Sequence, residues 1–141
     1  MIKGILNPGN YPKHIDFTVL LLRLVAGGFM LTHGLGKLNK LFGDDPIQFA
    51  DPLGVSVTAS LALTVFAEVL CALFLIVGFA TRLSAIPLLI TMLVAAFIVH
   101  ANDGFGKQEL PLFYAINYLV ISISGAGKYS VDQLIFKRII K

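Results

Sequence analysis

The stretch FAEVLCALFLIVG, residues 66 to 78, decides the fold. It holds one acid, Glu68, among residues that are otherwise apolar or small. A carboxylate in the middle of a membrane span costs about 2.5–3.5 kcal/mol on insertion scales. We therefore expect Glu68 to face the interior of a helix bundle, where a basic side chain neutralises it.

The composition of the whole chain favours a membrane protein. Hydrophobic residues make up 57% and charged residues 13% of the 141 residues, with a mean hydropathy of +0.85. A soluble domain has about 25% charged residues. The formal charge is +3, but the basic residues form no dense patch with interleaved aromatics, so we expect no nucleic-acid partner. The single cysteine, Cys71, excludes an internal disulfide, and we interpret it as a packing residue.

Four apolar segments predict an all-α fold, a four-helix transmembrane bundle that forms a single domain. The segments cover residues 17–35, 55–78, 83–100 and 110–127. Their lengths suit a bilayer, which takes about 17–25 residues to cross. Arg23 interrupts the first segment and no Ala-x-Ala cleavage site follows, so we interpret it as a retained span and not as a signal peptide.

The distribution of Lys and Arg predicts the orientation of the bundle. If the amino terminus is cytoplasmic, that side carries Lys3, Lys13, Arg82, Lys128, Lys137, Arg138 and Lys141, and the opposite side carries Lys37, Lys40 and Lys107. The positive-inside rule then places both termini in the cytoplasm of a bacterium and the chain in its inner membrane. Beyond the lipid bilayer, the sequence identifies no partner.

The segment GAGKYSVDQLIFKRIIK, residues 125–141, predicts a surface helix. Its glycines end the fourth span. Ser130 and Gln133 have the spacing of a capping box, so Ser130 is the predicted helix cap of residues 130–141. Apolar residues share one side of this helix, and Lys137 and Arg138 add positive charge. We therefore predict a short amphipathic helix on the inner membrane surface.

Depth along the helices suggests a partner for Glu68. Counting 1.5 Å per residue from a membrane entry at Phe17 and an exit at Gly78, Arg23 and Glu68 lie within about one helical turn of each other. A guanidinium can bind a carboxylate through two parallel hydrogen bonds, so we predict an ion pair between Arg23 and Glu68. Such a pair either holds two helices in register or takes part in binding a ligand or handling a proton.

A second polar cluster is expected at the opposite end of the bundle, where His33, Lys37, His100 and Glu109 can converge. Two His and one Glu could ligate a metal. However, the residue one turn after His33 is a lysine, and the chain has no HxxxH or HExxH, so we predict no metal site. The cluster is then either a polar mouth that faces an anionic or quinone-like headgroup, or an interfacial belt.

Four motifs together resemble the DoxX family of small bacterial membrane proteins. They are LLRLVAGGFMLTHGLGKL, FAEVLCALFLIVGFATRLSA, MLVAAFIVH and GAGKYSVDQL, and the resemblance extends over residues 19–134. The residues that match are Arg23, His33, Gly34, Lys37, Glu68, Gly78, Thr81, Arg82, His100, Gly125, Gly127, Ser130 and Asp132. The resemblance implies a four-helix membrane bundle.

The resemblance also implies a link to redox complexes, since related proteins include a subunit of thiosulfate:quinone oxidoreductase. Our first hypothesis is a subunit or partner of such a complex that contacts quinone through a polar intramembrane pocket. The pocket residues are predicted to be Arg23, His33, Lys37, Glu68, His100 and Glu109. The sequence does not decide whether the chain is catalytic, and without a flavin or haem fingerprint we expect no intrinsic cofactor. The alternative is a small transporter or a scaffold that recruits partner proteins, and a homo-oligomer is left open.

Overall fold

The computed structural model describes Gly4 and residues 6–140. Between residues 6 and 140 the chain forms five helices and no strand, so the all-α prediction is confirmed. The helices are α1 (Lys13–Phe42), α2 (Val57–Val77), α3 (Thr81–Val99), α4 (Phe105–Ser124) and α5 (Val131–Ile140). Two π-helical segments interrupt the α-helical geometry, Phe66–Cys71 within α2 and Ala95–Val99 at the end of α3.

Three of these helices, α1, α2 and α3, are long and apolar enough to cross a membrane, and they are the candidate spans of the described residues. Helix α1 has 30 residues and extends the predicted first span at both ends. Helix α4 has 20 residues and contains most of the predicted fourth span, although residues 125–127 lie in the turn that follows it. The predicted surface helix is present as α5, and Lys141 lies outside the described residues.

Helix α1 presents a stripe of small residues to α2. Gly27 and Gly34 are both buried. A Cβ atom at Gly27 would lie 2.7 Å from the Ile76 side chain, and one at Gly34 would lie 2.7 Å from the Glu68 carbonyl oxygen. Glycine therefore allows the two backbones to approach closely, which is how helices commonly associate in lipid.

The turn between α2 and α3 closes α2 with a Schellman motif. Gly78 adopts a left-handed conformation with φ of 74°, and the Phe79 amide donates to the Phe74 carbonyl at 2.9 Å. Ala80 also has a left-handed conformation, with φ of 44°. Such a conformation costs a residue with a Cβ atom roughly 1–2 kcal/mol, so contacts from outside the turn must hold Ala80 in place.

Two buried or half-buried arginines satisfy the carboxyl ends of helices. Arg23 is 1% exposed, and its guanidinium donates to Leu75 O (2.9 Å), Ile76 O (3.0 Å), Ala126 O (2.5 Å) and Tyr129 O (3.0 Å).

Arg82 donates to Ser122 O (2.9 Å), Ile123 O (2.6 Å) and Ser124 O (3.2 Å) at the end of α4, and to Asn7 O (3.2 Å). A cation at a helix carboxyl terminus stabilises the exposed carbonyls and opposes the helix dipole.

Asp132, at the start of α5, satisfies the amino end of α3. Its carboxylate is buried and accepts hydrogen bonds from the amides of Ala80 (2.7 Å) and Thr81 (2.9 Å). Its own amide donates to the Gly78 carbonyl at 2.9 Å. The predicted cap of α5 is confirmed, because the Ser130 hydroxyl accepts from the Gln133 amide at 3.1 Å. The first turn of α5 is therefore fixed to the turn between α2 and α3.

We predict that Asp132→Ala lowers the free energy of unfolding by about 2 kcal/mol, because the amides of Ala80 and Thr81 lose a charged acceptor. The thiol of Cys71 is buried, so its reaction with a fluorescent maleimide during heating reports unfolding of the purified protein. Asp44→Ala, which removes an exposed carboxylate, is the matched control. Equal unfolding midpoints for the two variants would contradict the role assigned to Asp132.

Candidate functional site

Glu68 has a different partner from the one predicted. The Lys37 ammonium lies 2.5 Å from Oε1 and 2.6 Å from Oε2 of Glu68. The Glu68 side chain is 2% exposed and that of Lys37 is 29% exposed. The predicted ion pair between Arg23 and Glu68 is wrong, because all the hydrogen bonds of the Arg23 guanidinium go to backbone carbonyls.

The physical reason is the register between α1 and α2. The depth count made from the sequence placed Phe17 level with Gly78. In the structure the Arg23 guanidinium is beside Gly78 instead, because a Cβ atom at Gly78 would lie 2.5 Å from it. Arg23 thus lies level with the end of α2, about 14 Å along the helix from Glu68. Gly34 lies level with Glu68, and Lys37 follows one turn later. The basic residue that reaches the carboxylate is therefore Lys37.

Glu68 lies in the π-helical segment Phe66–Cys71, beside Gly34. A π-helical turn widens the helix, and such turns often occur at functional sites. The close approach of α1 at Gly34 brings the following turn of α1 to the Glu68 side chain. The local geometry of both helices therefore positions the ion pair.

A cavity of about 350 Å³ lies beside this ion pair, between α1, α2, α3 and α4. Of the predicted site residues, His33, Lys37, Glu68 and His100 line the cavity. Arg23 and Glu109 do not: Arg23 lies at the opposite end of α1, and Glu109 is exposed beside Phe113. The other lining residues are Met30, Met92, Ala95, Gly106, Lys107, Leu110, Pro111 and Tyr114.

Tyr114 forms one wall of the cavity and was not predicted. Its ring meets the edge of the His33 ring at a centroid distance of 6.3 Å and stacks on Tyr118 at 6.1 Å. The Tyr118 hydroxyl donates to the Ala26 carbonyl at 3.1 Å, which ties α4 to α1. Helical spacing could have identified this wall, since Lys107 and Tyr114 lie two turns apart on one face of α4.

The mouth of the cavity holds a further polar contact. The His100 Nδ1 atom lies 2.7 Å from Oδ2 of Asp103, and the Gln108 side chain donates to the His100 carbonyl at 2.9 Å. The hydrogen bond with His100, together with the charge of Lys107, holds the pKa of Asp103 below its ordinary value. Among the described residues, no group of three or more His, Cys, Asp or Glu side chains is placed to hold a metal ion.

The cavity therefore combines apolar walls with a few polar groups. Met30, Met92 and Leu110 supply apolar surface, and Lys37 with Glu68 forms a charge-compensated pair at the wall. His33 and Tyr114 add groups that can donate hydrogen bonds. Such an arrangement suits a largely apolar ligand that carries hydrogen-bond acceptors.

We predict that Lys37 with Glu68, and Arg23 with Glu68, behave differently in double-mutant cycles of unfolding. Lys37→Met leaves Glu68 buried without its partner and costs about 3 kcal/mol, and Lys37→Met/Glu68→Leu recovers most of this loss. Arg23→Leu and Glu68→Leu are expected to be additive within roughly 0.5 kcal/mol, because the two residues do not touch. Thermal or denaturant unfolding in detergent measures both cycles. Coupling in the Arg23 cycle, without coupling in the Lys37 cycle, would contradict the assignment.

Comparison with known proteins agrees with the geometry of a membrane bundle. The sequence profile described as DoxX matches residues 18–101, which include α2 and α3. An uncharacterized protein of Haemophilus influenzae is 31% identical over 127 residues, covering 85% of this chain and 84% of the relative. The inner membrane protein YqjF of Escherichia coli is 29% identical over 127 residues, covering 87% of this chain and 95% of the relative.

A second uncharacterized protein of Haemophilus influenzae is 29% identical over 140 residues, covering 92% of this chain and 98% of the relative. No solved structure gives a significant match. The profile covers more than half of the sequence, and the relatives are similar over nearly their whole length. The chain therefore belongs to the DoxX family and is a multi-pass protein of the bacterial inner membrane.

Proposed function

We propose that this DoxX-family chain is a membrane subunit or partner of a redox complex, and that it binds a quinone headgroup in the cavity beside Lys37 and Glu68. The observation that carries the proposal is the juxtaposition of a partly buried, charge-compensated ion pair with a largely apolar cavity. A paired charge needs no cavity to hold two helices in register. The cavity beside this pair favours the ligand-binding alternative over a purely structural one.

The size and lining of the cavity support a quinone headgroup. Its volume of about 350 Å³ falls within the range of small-molecule sites, about 300–1,000 Å³. Met30, Met92 and Leu110 provide apolar contacts for the ring face. An aromatic wall, made by Tyr114, allows ring stacking.

Hydrogen-bond donors in the cavity support recognition of the quinone carbonyls. A quinone carbonyl accepts hydrogen bonds, and Tyr114, His33 and Lys37 each carry a group that can donate one. The Lys37 ammonium has three protons, so it can keep its contact with Glu68 while it donates to a ligand. In this proposal Glu68 keeps Lys37 oriented and compensates its charge, and Lys107 adds a further cation to the lining of the cavity.

We also infer the finer membrane topology, in which α1 to α4 all cross the bilayer and both termini lie in the cytoplasm. Helix α4 has 20 residues, enough to span about 30 Å. The exposed cations Lys128, Lys137 and Arg138 lie at the end where α2 ends, as the positive-inside rule requires. The cavity then lies in the periplasmic half of the bundle.

Cysteine accessibility tests this topology. In a Cys71→Ala background, we expect a membrane-impermeant maleimide to label Asn102→Cys in intact spheroplasts and to label Lys128→Cys only after permeabilisation. Both positions are exposed, so burial does not limit labelling. Labelling of Lys128→Cys in intact spheroplasts, with Asn102→Cys labelled only after permeabilisation, would contradict the proposed orientation.

We predict that the purified protein binds short-chain ubiquinone or menaquinone analogues, measured by calorimetry in detergent. His33→Ala removes one donor and is expected to weaken binding about fivefold, and Glu68→Gln about tenfold, because it releases Lys37. Glu109→Gln, outside the cavity, is the control and should bind as the parent protein does. The proposal fails if the parent protein binds neither analogue or if the control loses as much affinity as His33→Ala.

A pair of glycine variants tests the same site through its backbone. Gly34→Ala would place a Cβ atom 2.7 Å from the Glu68 carbonyl oxygen, so α1 must shift away from α2 and carry Lys37 with it. We expect at least a tenfold loss of quinone affinity. Gly36→Ala faces open space and should retain affinity, with slightly higher helix stability. Equal affinities would show that the ion-pair geometry does not control binding.

The alternative, a transporter or a scaffold, makes a different set of predictions. A scaffold would copurify from native membranes with a soluble oxidoreductase and bind no quinone analogue. A transporter would move a solute across vesicles in which the protein is the sole component. Either result, together with the absence of quinone binding, would replace the proposed function.

A further inference from the structure

Helix α5 leaves an apolar and cationic face uncovered. Leu134 is 63% exposed. Lys137 and Arg138 are also exposed, and they lie on either side of Leu134 on a helical wheel. We call this set, Leu134, Lys137 and Arg138, the α5 face. Asp132 points the opposite way and is buried against the turn between α2 and α3.

The place of α5 in the fold is at a boundary of the membrane-crossing helices. Its first turn is bonded to the turn in which α2 ends and α3 begins, through Asp132 and Gly78. The Arg23 guanidinium binds the Tyr129 carbonyl just before α5. These contacts fix the start of α5 at the level where the candidate span α2 ends and the candidate span α3 begins. The helix is only 10 residues long, about 15 Å, so its far end lies within about 15 Å of that level.

We propose that the α5 face docks on the anionic lipid surface of the leaflet in which α2 ends. An interfacial helix inserts apolar side chains about 5–10 Å into the headgroup region while its cations bind anionic headgroups. Leu134 supplies the apolar contact, and Lys137 and Arg138 supply charge of the sign that complements anionic lipid. The exposed Lys128 in the preceding turn adds a third cation at the same end of the bundle. This inference is independent of the ligand in the cavity.

The chain contains no Trp, so Leu134→Trp introduces a unique fluorophore on the α5 face. The full-length protein is reconstituted into vesicles of phosphatidylcholine alone or mixed equally with phosphatidylglycerol, with lipids brominated near the headgroup as quenchers. We expect a blue-shifted indole emission that brominated lipid quenches, more strongly in the anionic vesicles. Phe29→Trp, on an exposed part of α1, gives the quenched reference. Asn102→Trp, in the loop after α3, gives the weakly quenched reference.

Charge variants in the Leu134→Trp background test the anionic preference. Lys137→Gln or Arg138→Gln is expected to lower the ratio of docked to undocked helix about fivefold on anionic vesicles, and the double variant roughly 25-fold. Lys40→Gln, which removes an exposed cation at the far end of α1, should change nothing. Added salt should reproduce the effect of the charge variants.

Three outcomes would overturn the proposal. An indole emission typical of water, without quenching, means that the α5 face is not docked. A blue-shifted emission that depends on protein concentration and not on brominated lipid means that a second copy covers the face. Equal quenching in neutral and anionic vesicles, unchanged by the charge variants, means that the contact does not recognise anionic headgroups.

Discussion

Helix ends beside a lipid phase must find partners for their backbone groups within the protein, and this constraint organises the molecule. Arg23 binds the last carbonyls of α2 and the segment before α5, Arg82 binds those of α4, and Asp132 binds the first amides of α3. These three charged side chains tie together all five helices, α1 to α5, and the turns between them. Their hydrogen bonds satisfy backbone groups, which explains why, among the described residues, the Arg23 guanidinium is buried without a salt bridge to a carboxylate.

Because Arg23 is engaged at the end of α2, Glu68 depends on Lys37. The two ends of α1 therefore have separate roles. The first half anchors the helix ends and the connecting segments, and the second half contributes the lysine of a partly buried ion pair. The cavity lies beside the second half, next to that pair. The helix-end contacts and the cavity thus lie in different layers of one small bundle.

Two local departures from ideal helices border the cavity. The π-helical segments of α2 and α3 carry Glu68 and Ala95, which both line it. Gly34 allows α1 to contact the backbone of α2 on one side, while Tyr114 of α4 forms a wall on another. The irregular turns therefore lie where space remains open between the four helices.

The sequence by itself determined the class of the protein. Apolar segments of membrane length, the resemblance over residues 19–134 and the cap at Ser130 follow from local composition and spacing, and each was confirmed in whole or in part. Four of the six predicted pocket residues also line the cavity. Helical spacing and short motifs are properties of neighbouring residues, so they can be predicted without knowledge of how the helices pack.

Only the tertiary structure decided which charges meet. The partner of Glu68 depends on the register of α1 against α2, and that register is set by Gly27, Gly34 and the Arg23 contacts at the end of α2. A shift of α1 against α2 by two helical turns, about 11 Å, replaces Arg23 by Lys37 as the partner of Glu68. The exclusion of Glu109 and the inclusion of Tyr114 depend in the same way on which face α4 turns toward the bundle. Such contacts arise between distant parts of the chain, where sequence spacing carries no distance information.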